Sequence, residues 1–257
     1  MLLKYFPHLL LSFVLCCSCT GEDATDSPPV VIEPVSTFSD AQLIEMTQKD
    51  VLKYFWDYAE SNSFLARERY HTDNPGQDAH VVSTGGSGFG LMTVLVGIKN
   101  GYIPRADAVS GLSKSLTFLQ NAQRFHGAWP HWMDGQSGKV IPFSALDNGG
   151  DLVETTFLAQ GLICVREYFK NSTDSNELAV SRMADKLWKE IEWDWYTQGQ
   201  EVLYWHWSPN NNFQINHKIQ GYDETLITYI LAAASPAFTI SKSVYTKGWA
   251  RNGGIVN

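Results

Sequence analysis

After about residue 38 the apolar positions recur at helical spacing, and the pattern predicts six helices. Ile44, Val51, Phe55 and Tyr58 mark the first, from about Ser39 to residue 60. The second runs from Ser87 to Asn100 and stops at Gly101, a residue that accepts the left-handed conformation of a helix C-terminus. Pro104 suits the first turn of a third helix ending near Ala122. The fourth, from about Gly150 to Lys170, carries Leu152, Val153, Phe157, Leu162, Ile163, Val165 and Phe169. It is apolar nearly all round and is expected to be buried, with Cys164 inside it as a small hydrophobe. The fifth, about 175–196, places Leu187, Ile191 and Trp195 on one face; the sixth, about 222–234, is again apolar and stops before Pro236.

Apolar helices (second, fourth, sixth) therefore alternate with amphipathic ones (third, fifth), and long loops at about 61–84, 123–148 and 197–221 precede each apolar helix. Strand signals are few and short, at His80–Val82 and Val202–Trp205. The pattern predicts an all-α fold of inner and outer helix layers with the loops gathered on one face. An α/α toroid fits it better than a simple bundle, whose connections are short.

Composition changes this picture in three ways. Nine Trp and eleven Tyr among 257 residues supply ring faces with a polar handle, which suits sugar rings. A net charge of −8 without basic runs argues against nucleic acid and anionic membrane surfaces as partners. Residues 1–19 read as an export signal, with Lys4 before a short apolar core, Leu9 to Leu15, that is too short to span a bilayer. It ends in Cys16-Cys17-Ser18-Cys19, the pattern of a lipoprotein signal with Cys19 as the lipidated residue and Cys17 the alternative. Residues 20–38 read as a flexible tether and 39–257 as one globular region. These segments predict an exported protein, periplasmic or anchored to the outer membrane of a Gram-negative cell through its N-terminal lipid only.

The candidate chemistry lies at the starts of the apolar helices. Gly85-Gly86-Ser87-Gly88-Phe89-Gly90 lacks the Lys-Ser/Thr and the βαβ context of a phosphate loop, and reads instead as close helix packing. No His-Glu-x-x-His or close His/Cys pair points to a metal, and no Gly-x-Ser-x-Gly points to a serine nucleophile. Carboxylates remain. Asp147, Asp151 and Glu154, spaced by four and three, are expected on one stripe of the fourth helix, where their mutual repulsion favours neither the helix nor ionisation. Asp223 and Glu224 stand at the start of the sixth. Trp129, His131 and Trp132 precede the first group, and Trp205, His206 and Tyr222 precede the second. Acids beside aromatic, hydrogen-bonding surfaces suit glycoside cleavage, which needs one protonated and one ionised carboxyl. The same acids also suit helix N-termini, and the same tryptophans suit a core.

Taken together, Ser83 to Gly90, Gly127 to Trp132, Asp147 to Glu154, Tyr204 to Asn210 and Gly221 to Thr225 resemble glycoside hydrolase family 144, bacterial enzymes that degrade β-1,2-glucan. The resemblance covers roughly residues 39–250. It implies an (α/α)6 toroid, an inverting mechanism without metal or other cofactor, and a neutral substrate, β-1,2-glucan or sophoro-oligosaccharides. It also implies that Glu224 is the general acid and that Asp147, Asp151 and Glu154 are cleft acids, with Asp151 and Glu154 joining Glu224 as candidate catalytic residues. Asp147, Trp129, His131, Trp132, Trp205, His206 and Tyr222 are the candidate sugar-binding residues. By the same resemblance the chain stops at Asn257 with about half the toroid complete, as a truncated chain would. Other readings are a non-catalytic glycan-binding lipoprotein, an inactive truncated fragment, and a polysaccharide lyase. The acidic, aromatic set favours a neutral glycan over the uronic acids that lyases take.

Overall fold

In the computed structural model residues 37–254 are described, and one compact unit begins at Asp40. The signal segment, Cys19 and nearly all of the tether lie outside the described residues. Among the described residues the unit has six α-helices: α1 (Asp40–Trp56), α2 (Thr84–Asn100), α3 (Arg105–Asn121), α4 (Leu152–Phe169), α5 (Ser175–Lys189) and α6 (Leu226–Ala234). The apolar helices form the inner layer, α4 packing against α2 on one side and α6 on the other. The amphipathic helices lie outside: α1 and α3 against α2, and α5 against α4 and α3. No described helix is long and apolar enough to cross a membrane.

Several boundaries differ from expectation, each for a local reason. The first helix ends at Trp56, where Asp57 and Tyr58 both donate to Lys53 O and close the last turn. Its buried residue is Leu52, while Ile44 and Val51 are exposed. α2 starts three residues early because Ser83 caps it: the Ser83 hydroxyl accepts from Gly86 N, and Ser87 Oγ donates back to Ser83 O at 2.6 Å. Gly101, at φ 71°, ends it as expected. α5 stops at Lys189, and a separate turn of 3-10 helix, Trp195–Thr197, follows.

The loops carry more strand than the pattern predicted. β1 (Val81–Ser83), β2 (Trp132–Asp134) and β3 (Val140–Ile141) form an antiparallel sheet in that order, with Ser83 opposite Trp132 and Trp132 opposite Ile141. β4 (Gly150–Asp151) pairs with β5 (His206–Trp207), Asp151 opposite His206. Val202–Trp205 is not a strand. Leu203 N donates to the Tyr229 hydroxyl and Tyr204 N to Tyr196 O, so this backbone is satisfied by the core. These two small sheets tie the three long loops to the N-terminal ends of α2 and α4.

At the α2–α4 crossing the two backbones approach closely. A Cβ on Gly88 would lie 2.7 Å from Leu158 Cα and collide with the carbonyl of Phe157, while one on Gly161 would lie 2.9 Å from Gly88 Cα. The glycine run therefore serves close packing, as its sequence context indicates. α4 is not buried all round: Cys164 and Tyr168 are exposed, which corrects the expectation of a buried thiol.

Candidate active site

Asp147, Asp151 and Glu154 converge, but not as a helical stripe. Gly149 has no room for a side chain against Ser208, and Gly150 pairs with Trp207, so the chain is extended until Asp151. Asp147 ends a turn, its N–H donating to Ser144 O at 3.1 Å. Asp151 is the N-cap of α4, and only Glu154 lies on the helix.

Asp151 organises the site. It is fully buried and accepts four hydrogen bonds: Oδ1 from Val153 N at 3.0 Å and Glu154 N at 2.9 Å, Oδ2 from His131 Nδ1 at 3.0 Å and Trp205 Nε1 at 3.1 Å. One carboxylate thus joins the start of α4 to the loop before β2 and the segment before β5. With its lone pairs filled, Asp151 holds its neighbours in place.

The groups around it carry the unusual acidities. Burial resists charge on His131, but the hydrogen bond and charge of Asp151, with the charges of Glu154 and Asp147, raise its pKa above the ordinary value. Burial, reinforced by Asp151, raises the Asp147 pKa to about 6. His206 is buried, and burial lowers its pKa against the pull of Asp151. Its Nε2 accepts from Gly149 N at 3.1 Å and stands 3.3 Å from Asp147 Oδ1. An unprotonated nitrogen there disfavours an ionised Asp147, in the same direction as burial. Burial and Asp151 also raise the pKa of Glu154, whose Oε2 accepts from Gly85 N at 2.8 Å and which feels the charge of Glu224.

A stability test follows from Asp147. A carboxyl whose folded pKa lies above its unfolded value of 3.8 stabilises the fold fully below that value, and the contribution is lost as pH rises through about 6. Asp147→Asn should therefore match the wild type near pH 4 and exceed it at pH 7 by roughly 2 kcal/mol in urea unfolding. Equal stabilities at both pH values would contradict the assignment.

Beside these acids opens a cleft of about 620 Å3, lined among others by Glu68, Arg69, His131, Trp132, Phe143 and Glu154. Phe143 packs against His131 (ring centroids 4.4 Å apart) and Trp132 (4.9 Å), making an aromatic wall. Glu68, Arg69 and Phe143 were missed in the sequence. Phe143 closes the apolar run Val140-Ile141-Pro142-Phe143, and an aromatic at the end of that run is the signal that could have found it.

The other candidates divide. Trp129 is wholly buried, its Nε1 donating to Leu119 O at 3.1 Å, so it is a core anchor and not a sugar platform. Trp205 and His206 support the acids from behind: Trp205 bonds Asp151, and His206 is enclosed. Glu224 is exposed just before α6, while Asp223 Oδ1 accepts from Thr225 N at 2.9 Å and folds the turn. Tyr222 is 78% exposed, its ring facing Trp249, away from the Asp151 cluster's own contacts.

His131 with Asp147 and Asp151 also brings three potential ligand atoms within 4.8 Å of one another. Asp151 Oδ2 is already bonded to His131 Nδ1, so two of the three groups are engaged with each other.

Three comparisons place this geometry. The Glycoamylase family model matches residues 216–257. The exo β-1,2-glucooligosaccharide sophorohydrolase (non-reducing end) of Parabacteroides distasonis is 46% identical over 215 residues, 82% of this chain and 29% of that protein. The endo-β-1,2-glucanase of Chitinophaga pinensis, solved with sophorotriose and glucose, is 52% identical with a TM-score of 0.83, over 86% of this chain and 53% of that one. The β-1,2-glucanase structure from Parabacteroides distasonis is 45% identical with a TM-score of 0.78, over 83% of this chain and 30% of that one. The chain thus spans about half the length of the Chitinophaga enzyme and less than a third of the Parabacteroides ones. Its layered helices correspond to about half of an (α/α)6 toroid. By sequence and by fold, the chain is a homologue of part of these enzymes, the glycoside hydrolase family 144 type that its motifs resemble.

Proposed function

We propose that this chain forms the acidic wall of a glycoside hydrolase cleft for a neutral β-glucan, β-1,2-glucan or sophoro-oligosaccharides, cleaved with inversion. The single observation that carries the reading is the convergence on Asp151 of an imidazole of raised pKa, an indole N–H and the start of α4, flanked by two carboxyls of raised pKa. A carboxyl of raised pKa keeps its proton to higher pH than an ordinary one, and in that form can hydrogen-bond sugar hydroxyls and stabilise a departing oxygen. Glu224, exposed and within electrostatic reach of Glu154, is the acid that protonates the glycosidic oxygen as its bond to the anomeric carbon breaks. Water attacks the opposite face of the ring and gives its proton to a general base, a role that none of the described residues is assigned. Glu154 and Asp147 bind hydroxyls, Trp132 and Tyr222 offer ring faces, and Asp151 with His131 keeps the wall in register.

The test is product chromatography after incubation with linear β-1,2-glucan. Shortened saccharides are expected, and Glu224→Gln should slow their release by about 10²–10⁴-fold while leaving affinity unchanged. Turnover retained in Glu224→Gln would exclude that acid. Unsaturated products would show lyase chemistry, and binding without turnover would leave a glycan-binding protein.

The same reading includes export and lipid attachment at Cys19, on the strength of the apolar segment and the cysteine cluster that follows it. Labelling with radioactive palmitate in a bacterial host should mark the wild type and not a Cys17→Ser/Cys19→Ser variant. Equal labelling would exclude both cysteines.

A further inference from the structure

A second aromatic site lies beyond the β4–β5 pair and shares no lining residue with the acidic cleft. Trp195 stacks on His126 with ring centroids 3.6 Å apart and planes 11° off parallel. Trp207 meets both edge-on, at 4.8 Å from His126 and 5.9 Å from Trp195. His126 Nδ1 is 2.9 Å from Glu192 Oε2, which fixes the imidazole behind the indole. The support is built into the backbone: His126 and Gln198 both hold left-handed conformations, at φ 50° and 53°. Such conformations are unfavourable for side chains of this kind and persist only where surrounding structure imposes them.

The indole so braced is 41% exposed and borders a pocket of about 360 Å3. Asp194, Glu192 and Gln198 stand around it, with Phe213 and Phe238 completing the apolar part. The Gln198 amide nitrogen is shielded from solvent and has no partner in the protein. A large indole left open, backed on one face and surrounded by two carboxylates and an amide, is costly to arrange for packing alone. Its volume lies at the small end of the ~300–1,000 Å3 range of ligand sites.

We propose that this pocket is an auxiliary glycan site, in which the free face of Trp195 stacks on the C–H face of a glucosyl ring. Asp194 accepts from its hydroxyls, and Gln198 donates to one. The site takes a stretch of neutral polysaccharide away from the reacting bond and so raises affinity for polymer over short oligosaccharide, by holding one chain at two points. The choice of β-glucan as ligand rests on the function proposed above.

Affinity electrophoresis in gels cast with linear β-1,2-glucan tests it. The wild type should be retarded. Trp195→Ala should weaken retardation about tenfold, Trp195→Phe less, and Gln198→Ala, which leaves the stack intact, about threefold. Glu154→Gln should retain most of the retardation, because polymer is still held at Trp195. Thermal melts accompany each variant, and Trp195→Phe and Gln198→Ala decide the matter if Trp195→Ala does not fold. Wild-type retardation in the folded Trp195 and Gln198 variants would overturn the proposal, as would its complete loss in Glu154→Gln or its absence in the wild type. Calorimetric titration with a trisaccharide, too short to need this pocket, reports separately on the acidic cleft.

Discussion

Gly88→Ala should unfold this protein or lower its stability by at least about 3 kcal/mol, even though Ala is the better helix former. Intrinsic propensity alone favours the change by ~1 kcal/mol. The crossing decides otherwise. The new Cβ would lie 2.7 Å from Leu158 Cα and overlap the Phe157 carbonyl, so relief requires moving backbone in α4 rather than turning a side chain. Gly161, whose added Cβ would lie 2.9 Å from Gly88 Cα, should behave alike. Gly76→Ala is the control: nothing lies within 4 Å of its added Cβ, and the variant should be neutral or slightly more stable. Urea unfolding midpoints compare the three. A Gly88→Ala midpoint at or above that of the wild type would show that α2 and α4 do not cross here.

The second large effect belongs to Asp151. Asp151→Ala removes the α4 cap, worth ~1 kcal/mol, and leaves the buried donors of His131 and Trp205 unpaired at ~1–3 kcal/mol each. A loss on the order of 3–5 kcal/mol is expected, measured by urea unfolding. Asp151→Asn keeps an oxygen for the cap and lets a neutral His131 accept from its amide, so it should lose less, with the Trp205 N–H left unpaired. It removes the charge that holds a proton on His131, so the His131 pKa, followed by NMR, should fall. A His131 titration unchanged in Asp151→Asn would mean that the pair is not formed.

These two positions also show what the sequence made legible. The glycine run could be read as a helix crossing because no Lys-Ser/Thr and no βαβ pattern accompanied it. The alternation of apolar and amphipathic helices was legible for the same elementary reason: an inner helix must be apolar on more than one face. The acid wall was legible only in part. Spacing placed Asp147, Asp151 and Glu154 on one helical face, yet Gly149 and Gly150 keep the chain extended against β5, and Asp151 becomes a cap. Those pairings, Gly150 with Trp207 and Asp151 with His206, join residues 57 and 55 positions apart, which local periodicity does not encode. Trp129 illustrates the opposite error. Its motif suited a sugar platform, but its indole N–H reaches the Leu119 carbonyl inside the core, and nothing local distinguishes the two fates. Exposure at Phe143 and Trp195 was hidden for the same reason, since each depends on which distant segments pack behind the ring.

The central claim is that Asp151 organises a wall that recognises β-1,2-linked glucose. Calorimetric titration of sophorotriose into the wild type and into Asp151→Asn, both verified as folded, tests it most directly. The account predicts saturable binding by the wild type that weakens at least about tenfold in the variant. Equal binding by the two proteins, or no binding by the wild type, would contradict it.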